Sequence, residues 1–533
     1  MPTARRTLLL QGGLCLIFLA RIVSGYSLFT DTYDEHAHVL RGLWWLERGF
    51  YEADGFQTPL PRLFAAALPH LDGFVTDGSW LVNEWDQRSL DDYWRSLTLA
   101  RIGVLPFAIA LFAAVALWSR RELGDNASLV ATGLLTASPT VLGHAGLATL
   151  DMAGAAGVFL ATWAVWSWAH KQRPHPAALA GAALGLAEIS KFSSLGFLAA
   201  PVLFAAWFAV RKQGLPPRRL ILHAALYAAA AGAVVWAGYG FTTGEVYSYR
   251  HAVAVDAGAA LPLGEALQGV DLPAPVFWQG FVDMAYLQRD GFPSYLLGES
   301  RQGGWWYYFP LALLLKLTPP FLLLALLGSF VLLNRKSESR DLGICLIVAA
   351  AWILIISMPS RVNIGVRHVL PVFPLLAMLG AATTARLASR GAVRYAVFIL
   401  LGWHAVESVV AHPDYVAYFN PFVRSQDYAY LSDSNLDWGQ DRGRFLDWLK
   451  ANEDKDVFAL EMQAGGILRS YAFEQGSPQS EWIVLGANQL ILLKFGGQQP
   501  ELAELVDAEP WGRIGRSIFI YRNPRTIETP GQP

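Results

Sequence analysis

The sequence predicts an α-helical polytopic membrane protein with about eleven transmembrane helices, outer-face amphipathic helices and a small C-terminal α/β extracytoplasmic domain. Hydrophobic residues make up 54% of its 533 residues and charged residues only 16%, whereas soluble proteins carry about a quarter charged residues. Apolar runs of roughly 20 residues, the length that crosses a bilayer, recur along the first part of the chain. Basic residues collect in alternate connections between these runs, as expected for true membrane spans.

Eleven apolar runs are the predicted transmembrane helices, and the shorter ones can pair as tight hairpins. They occupy residues 7–29, 97–118, 127–143, 151–169, 177–190, 193–210, 220–241, 308–333, 342–358, 369–385 and 395–411. No small-residue cleavage pattern follows the first run, so we expect it to be a membrane anchor and not a cleaved signal. The two cysteines lie inside apolar runs, where no disulfide framework is expected.

The positions of Lys and Arg predict the orientation. With the amino terminus cytoplasmic and an odd number of spans, residues 412–533 lie outside, together with a first outer loop, 30–96, and a long outer loop, 242–305. The predicted domains are therefore a transmembrane domain, 1–411, and an extracytoplasmic α/β domain, 412–533, in an integral protein of a bacterial inner (plasma) membrane. The predicted inside loops hold Arg120, Arg121, Lys171, Arg173, Arg211, Lys212, Arg218, Arg219, Arg335, Lys336, Arg340, Arg386, Arg390 and Arg394.

The first outer loop places two carboxylates and two histidines on the membrane surface. If residues 33–44 are helical, Asp34 and His38 share one face, and the amphipathic helix would point them into a cavity above it. The pattern Thr32-x-x-Glu35 also fits a capping box, in which Glu35 only caps the helix and Asp34 only favours its positive end. The alternative for His38 is a hydrogen-bonded interfacial histidine.

Several charged residues do not follow the rule that charge collects in the inside loops. Such residues mark candidate sites, because they are kept although burying them costs free energy. Asp151 lies at the outer end of the fourth span, and Lys191 lies in a very short outer turn. Arg361, Arg367 and His368 share one brief outer loop. Arginine forks and a lysine point charge would clamp a phosphate or pyrophosphate group. The alternatives are a helix cap for the aspartate, a snorkelling lysine, and arginines that bind ordinary anionic lipid.

Five sequence segments, taken together, resemble the lipid-linked-sugar glycosyltransferases of the glycosyltransferase-C superfamily. The resemblance is to the protein O-mannosyltransferase-like branch, which includes the lipid A aminoarabinose transferases. It departs at Gln57-Thr58, where the family has His-Pro, so a donor contact from that histidine is not carried over. The segments are Tyr33-Asp34-Glu35-His36-Ala37-His38, Gln57–Leu63, Ser138-Pro139-Thr140 with Thr149-Leu150-Asp151-Met152, Gly185–Phe192, and Tyr418-Phe419-Asn420 with Asp433–Asp441.

The resemblance implies inverting transfer of a sugar from a polyprenyl-phosphate carrier to an acceptor on the outer face. The lipid-linked sugar would be a substrate, so no cofactor is expected, and a divalent metal is left open. The acceptor is a protein, a glycolipid or an envelope polymer, the other partners are membrane lipids, and no nucleic acid is expected.

Inverting transfer needs a carboxylate base and cations that hold the departing phosphate. Asp34 is the expected base, with Glu35 as the second catalytic carboxylate. The expected substrate- and phosphate-binding residues are His38, Asp151, Lys191, Arg361, Arg367 and His368.

The last 120 residues read as a mixture of helix and strand. Strands are predicted at Val457–Leu460, Leu490–Leu493 and Ile518–Tyr521, and a helix follows a polar turn within Asp433–Trp448. Asp437 and Asp441, four residues apart, would bind acceptor or metal or would simply face solvent.

The alternatives to an enzyme are a membrane transporter or lipid-binding channel, and a noncatalytic envelope scaffold. The sequence has no internal repeat, and its polar groups gather on one face, which favours the enzyme over a transporter. The enzyme interpretation requires a set of site residues to converge around one outer-face cavity, namely Asp34, Asp151, Lys191, Arg361 and Arg367.

Overall fold

The computed structural model describes residues 2–49, 57–76, 89–334, 339–386, 391–424, 427–460, 476–495 and 500–527. Helices dominate it, which confirms the predicted fold class. The first ten helices are α1 (Pro2–Val23), α2 (Tyr33–Arg48), α3 (Pro59–Leu71), α4 (Leu90–Leu123), α5 (Asp125–Thr136), α6 (Pro139–Ala145), α7 (Asp151–Lys171), α8 (Pro174–Glu188), α9 (Ser193–Arg211) and α10 (Pro217–Gly238).

The described middle part of the chain adds eight α-helices and two short antiparallel strand pairs, of which only the second is a hairpin. The helices are α11 (Tyr249–Asp256), α12 (Pro262–Leu267), α13 (Pro275–Asp290), α14 (Tyr308–Lys316), α15 (Pro319–Leu333), α16 (Arg340–Ser357), α17 (Val372–Arg386) and α18 (Gly391–Val410). Strand β1 (Thr243–Glu245) pairs with β2 (Asp271–Pro273), and β3 (Pro293–Leu296) pairs with β4 (Glu299–Gln302).

Six of the described helices are long and apolar enough to cross a membrane, namely Arg5–Val23, Leu90–Leu123, Asp151–Lys171, Ser193–Arg211, Pro217–Gly238 and Arg340–Ser357. A seventh span results if α14 and α15, which meet at 112°, count as one broken span. The predicted count of eleven is therefore not confirmed. Proline is one reason: the run 127–143 divides into α5 and α6 at Ser138, which is extended because Pro139 follows it.

The predicted amphipathic helix after the first span is confirmed as α2. Its buried face includes Val39 and Leu43, which pack in one cluster with Ala65 and Ala66 of α3. A Cβ at Gly42 would lie 2.2 Å from the carbonyl oxygen of Arg62, so only glycine allows this approach of α2 to α3. The close packing fixes the direction in which the polar side chains of α2 point.

The C-terminal part is a small α/β unit, as predicted. It contains α19 (Asp427–Tyr430), α20 (Arg442–Lys450), β5 (Val457–Leu460), β6 (Trp482–Gly486), α21 (Ala487–Lys494), β7 (Gly512–Ile514), β8 (Ile518–Arg522) and α22 (Pro524–Ile527). The strands form one sheet in the order β5-β6-β8-β7, with β5 parallel to β6 and the other pairs antiparallel.

The predicted strand at Leu490–Leu493 is wrong, because these residues belong to α21. Leu490, Ile491 and Leu493 are buried, whereas Leu492 is exposed. This spacing fits one side of a helix and not the alternation of a strand. A run of four apolar residues cannot distinguish the two structures by itself.

Candidate active site

Five of the predicted site residues line one cavity of about 470 Å³. Its walls come from α2, the start of α7, the turn after α8, helix α13 and the connection between α16 and α17. The predicted residues in its lining are Asp34, Asp151, Lys191, Arg367 and His368. The convergence that the enzyme interpretation requires is therefore present for five of the eight predicted site residues, and Arg361 is not among them.

Four of these side chains form a line of alternating charge. Lys191 Nζ lies 2.6 Å from Asp151 Oδ1, and Arg367 Nη1 lies 3.6 Å from Asp151 Oδ2. Arg367 Nη1 also donates a hydrogen bond to Asp34 Oδ2 at 2.8 Å. The Asp34 side chain is 35% exposed, whereas Asp151 is 2% exposed. Asp34 is therefore the carboxylate that a substrate can reach, and Asp151 holds the two cations.

Local backbone structure places each of these groups. Asp34 lies in the first turn of α2, and Asp151 is the first residue of α7, where the Thr149 hydroxyl donates to its carboxylate at 3.2 Å. Lys191 follows α8 and is turned towards Asp151, so the snorkelling alternative does not describe its position. Arg367 lies in a 3₁₀ helix, Val366–Val369, between α16 and α17.

Glu35 points away from the cavity, which corrects its predicted catalytic role. Its carboxylate pairs with Arg101, Nε to Oε1 at 2.8 Å and Nη2 to Oε2 at 2.9 Å, and both side chains are buried. It also accepts hydrogen bonds from the backbone N–H groups of Thr32 and Ala148. The capping alternative therefore describes Glu35, which in addition ties α2 to α4 and to the segment before α7.

His38 and Arg361 are also absent from the described cavity lining. The buried His38 ring accepts a hydrogen bond at Nδ1 from Arg62 Nε at 3.2 Å, and burial, with the charge of Arg62, holds its pKa well below the usual range. The interfacial-histidine alternative fits this neutral ring better than a phosphate contact. Arg361 donates to the carbonyl oxygen of Arg289 at 2.5 Å and lies beside Gly303. Its side chain is held by the backbone at the end of α13, so the predicted phosphate clamp loses one cation.

His368 keeps a free nitrogen at the cavity. Its Nε2 atom is buried, and no group in the described part of the chain forms a hydrogen bond with it. Burial and the neighbouring charge of Arg367 lower the pKa of this imidazole well below its usual range, so the ring is neutral near pH 7. A neutral imidazole can donate to or accept from a substrate hydroxyl.

Sequence reasoning missed three contacts around these residues. It overlooked Arg101, although a charge inside the apolar run 97–118 was a usable signal. It gave no role to Ser434, whose hydroxyl accepts a hydrogen bond from Arg367 Nε at 3.0 Å. It also gave none to Trp438, whose ring centroid lies 4.3 Å from the Arg367 guanidinium carbon.

An apolar groove of about 730 Å³ adjoins the cavity and is lined by residues of α8, α10, α12 and α13. Phe281 lines both spaces. Glu188 lines the groove, and both of its carboxylate oxygens are buried without a hydrogen-bond partner among the residues described. Helix α10 has the least buried window of the six candidate spans, 11%, so its apolar surface is available to lipid.

Asp437 and Asp441 are buried, so the prediction of a solvated face is wrong for them. Asp437 accepts from the backbone N–H of Asn488 at 3.1 Å, and Asp441 accepts from the Ser517 hydroxyl at 2.8 Å. Burial raises the pKa of Asp441 to about 6. Within the residues that the structure describes, no group of three or more His, Cys, Asp and Glu side chains has the arrangement of a metal site.

No protein-family model matches the chain, and no curated protein matches it in sequence. Among solved structures, it is similar to ArnT from Cupriavidus metallidurans bound to undecaprenyl phosphate, with 14% identity, a TM-score of 0.49, and coverage of 97% of this chain and 98% of that one. It is also similar to the apo oligosaccharyltransferase of Archaeoglobus fulgidus, with 13% identity, a TM-score of 0.49, and coverage of 93% of this chain and 72% of that one.

Proposed function

We propose that this protein transfers a sugar from a polyprenyl-phosphate carrier to an acceptor on the outer face of the membrane, with inversion at the anomeric carbon. The observation that carries the proposal is the Lys191–Asp151–Arg367–Asp34 line of charges in a cavity that adjoins an apolar groove. A polyprenyl phosphate has a charged head group, which the cavity would bind, and a long apolar tail, which the groove would bind. The residue motifs that resemble lipid-linked-sugar glycosyltransferases support the same substrate class.

In the proposed reaction, an acceptor hydroxyl attacks the anomeric carbon while the bond from that carbon to the phosphate oxygen breaks. The hydroxyl proton passes to Asp34, the most exposed carboxylate of the line. The released polyprenyl phosphate carries one more negative charge than the donor, and Lys191 and Arg367 stabilise it. A phosphate bound to Arg367 would compete with Asp34 for the guanidinium and so leave this carboxylate for the acceptor.

The groove along α8, α10 and α13 would hold the first isoprene units of the carrier. Its lining is almost entirely apolar, and Phe281 connects it to the charged cavity. The predicted outer face also argues for a lipid carrier, because nucleotide-activated sugars are made in the cytoplasm. The transporter alternative is less favoured, since Asp34, Asp151, Lys191 and Arg367 gather around one cavity.

The test is transfer from a panel of radiolabelled polyprenyl-phosphate sugars by purified protein in liposomes that contain extracted envelope acceptors. Wild type is compared with Asp34→Asn and with a matched control, Asp290→Asn, whose carboxylate is exposed and pairs only with the neighbouring Arg289 among described residues. We expect transfer by wild type and Asp290→Asn, and a loss of about 100-fold or more in Asp34→Asn. Undiminished transfer by Asp34→Asn removes it from the base role, and no transfer from any donor favours a noncatalytic protein.

A further inference from the structure

We propose that the C-terminal segment 432–438 is a positioning element of the active site, in which Ser434 and Trp438 hold the Arg367 guanidinium against Asp34. The C-terminal unit would then be part of the catalytic assembly and not an appended domain. The catalytic consequence rests on the proposed function, whereas the positioning itself does not.

Besides its ion pair with Asp151, Arg367 has three other contacts. Its Nε atom donates to the Ser434 hydroxyl at 3.0 Å, its Nη1 atom donates to Asp34 at 2.8 Å, and the Trp438 ring lies against the guanidinium at 4.3 Å. A guanidinium on an indole face gains cation–π energy in addition to its hydrogen bonds. Two of the three contacts therefore come from a segment more than 60 residues further along the chain.

The same segment also holds the backbone that carries Arg367. Asn435 Oδ1 accepts from the Val366 N–H at 2.9 Å, and the Ser434 hydroxyl donates to the Ile364 carbonyl at 2.5 Å. A Cβ at Gly365 would lie 2.0 Å from Ser434 Oγ, so a larger residue there would displace the Ser434 hydroxyl from its hydrogen bonds. Backbone and side chain of Arg367 are thus fixed by one surface.

The segment is fastened to the C-terminal sheet through Asn488, which lies in α21 directly after β6. Its Oδ1 atom accepts from the Asp433 N–H at 3.0 Å, and its Nδ2 atom donates to the Asp437 carbonyl at 2.9 Å. Asp433 adopts a φ of 55°, a left-handed conformation that Asp tolerates better than most non-glycine residues. A continuous set of hydrogen bonds therefore leads from the sheet to Arg367.

The first experiment measures hydrogen–deuterium exchange of the full-length protein in lipid nanodiscs and needs no substrate. In Ser434→Ala, we expect faster exchange of the backbone amides of residues 362–372 at an unchanged melting temperature. Ser434→Thr, which keeps the hydroxyl, should restore wild-type exchange. The matched control is Ser480→Ala, because Ser480 donates to Asp456 at 2.8 Å within the C-terminal unit and does not contact the segment. Exchange that is equal in Ser434→Ala and wild type overturns the proposal.

The second experiment is a double-mutant cycle on turnover with Ser434→Ala and Arg367→Lys. Lysine lacks the Nε donor that binds Ser434, so Ser434→Ala should lower kcat about tenfold in wild type and much less in Arg367→Lys. Additive effects would mean that Ser434 acts on stability alone and would overturn its positioning role in catalysis. If Ser434→Ala does not fold, the milder change Trp438→Phe takes its place in the cycle. It should lower kcat by a smaller factor, and again less in Arg367→Lys than in wild type. If wild type transfers no sugar while exchange still responds to Ser434→Ala, the proposed function fails and the positioning stands.

Discussion

Asp34 and Glu35 are consecutive residues that bind different arginines on different sides of one helix. Asp34 meets Arg367 at the cavity, whereas Glu35 meets Arg101 in the buried contact between α2 and α4. A helix turns about 100° per residue, so neighbours in its first turn separate in space. Asp34 is therefore the carboxylate that a substrate could reach, and Glu35 is the one that stabilises the fold. Opposite effects on activity and stability are expected when each is replaced.

Replacement of Asp34 by Asn should remove activity and leave the fold intact. We expect kcat to fall by about two to four orders of magnitude, because the amide cannot accept the acceptor's proton. Binding of polyprenyl phosphate, measured by fluorescence quenching in nanodiscs, should persist, since Lys191 and Arg367 remain. A variant that loses binding and activity together would assign Asp34 to binding instead.

Replacement of Glu35 by Gln should lower stability. Arg101 would keep a buried charge without its carboxylate, and breaking such a pair costs about 3–5 kcal/mol. Thermal unfolding in detergent should therefore begin several degrees lower. The control is Glu504→Gln, which breaks an exposed pair with Arg525 and should change stability by about 1 kcal/mol or less. Equal melting temperatures for Glu35→Gln and wild type would contradict the structural role.

Replacement of Lys191 by Met should weaken donor binding. The change removes one of the two cations that face the cavity and leaves Asp151 with Arg367 alone. We expect the KM for the lipid-linked donor to rise about tenfold or more, and Lys191→Arg, which keeps the charge, to recover part of the loss. Lys455→Met, which lies in the C-terminal unit, should leave KM unchanged.

The stability of the C-terminal unit should depend on pH through Asp441. Burial raises the pKa of Asp441 to about 6, so the folded protein binds a proton that the unfolded chain releases at lower pH. This carboxyl therefore contributes stability at low pH that is lost as the pH rises through about 6. The melting temperature of Asp441→Asn relative to wild type should consequently increase between about pH 4 and pH 6 and then level off. The control is Asp454→Asn, which removes an exposed carboxylate from the same unit.

Replacement of Glu188 by Leu should stabilise the protein. Both carboxylate oxygens are buried without partners in the described structure, and an unsatisfied buried polar group costs about 1–3 kcal/mol. We expect a higher melting temperature for Glu188→Leu than for wild type. Glu188→Gln, which keeps the polar atoms, should not raise the melting temperature. A lower melting temperature for the leucine variant would mean that this carboxyl has an important partner, such as a bound lipid.

The sequence predicted most of the charged residues that line the cavity, but few of the contacts that hold these residues in place. Asp151, Lys191 and Arg367 stood out because each breaks the positional rule for charges in membrane proteins, and that rule depends on chain order alone. The direction of Arg361 did not follow from the same rule, since its side chain turns towards the carbonyl oxygen of Arg289, near the end of the distant helix α13.

Partner choice was the part that the sequence could not supply. The Glu35–Arg101 and Arg367–Ser434 contacts join residues that are 66 and 67 positions apart. Nothing in the local pattern around either residue specifies which distant group will pack against it. The strand prediction at Leu490–Leu493 was wrong for a related reason. This short apolar run has a buried side only because the sheet packs beside it, and the run itself does not show that α21 is a helix.

Phe281, which lies between the apolar groove and the charged cavity, has a consequence for kinetics under the proposed function. A carrier that enters sideways past this ring never leaves the bilayer. Its effective concentration is then a surface density, so the rate should follow the mole fraction of donor among the lipids and not its amount per volume of buffer. Adding inert phospholipid would slow the enzyme by dilution, whereas adding water would not.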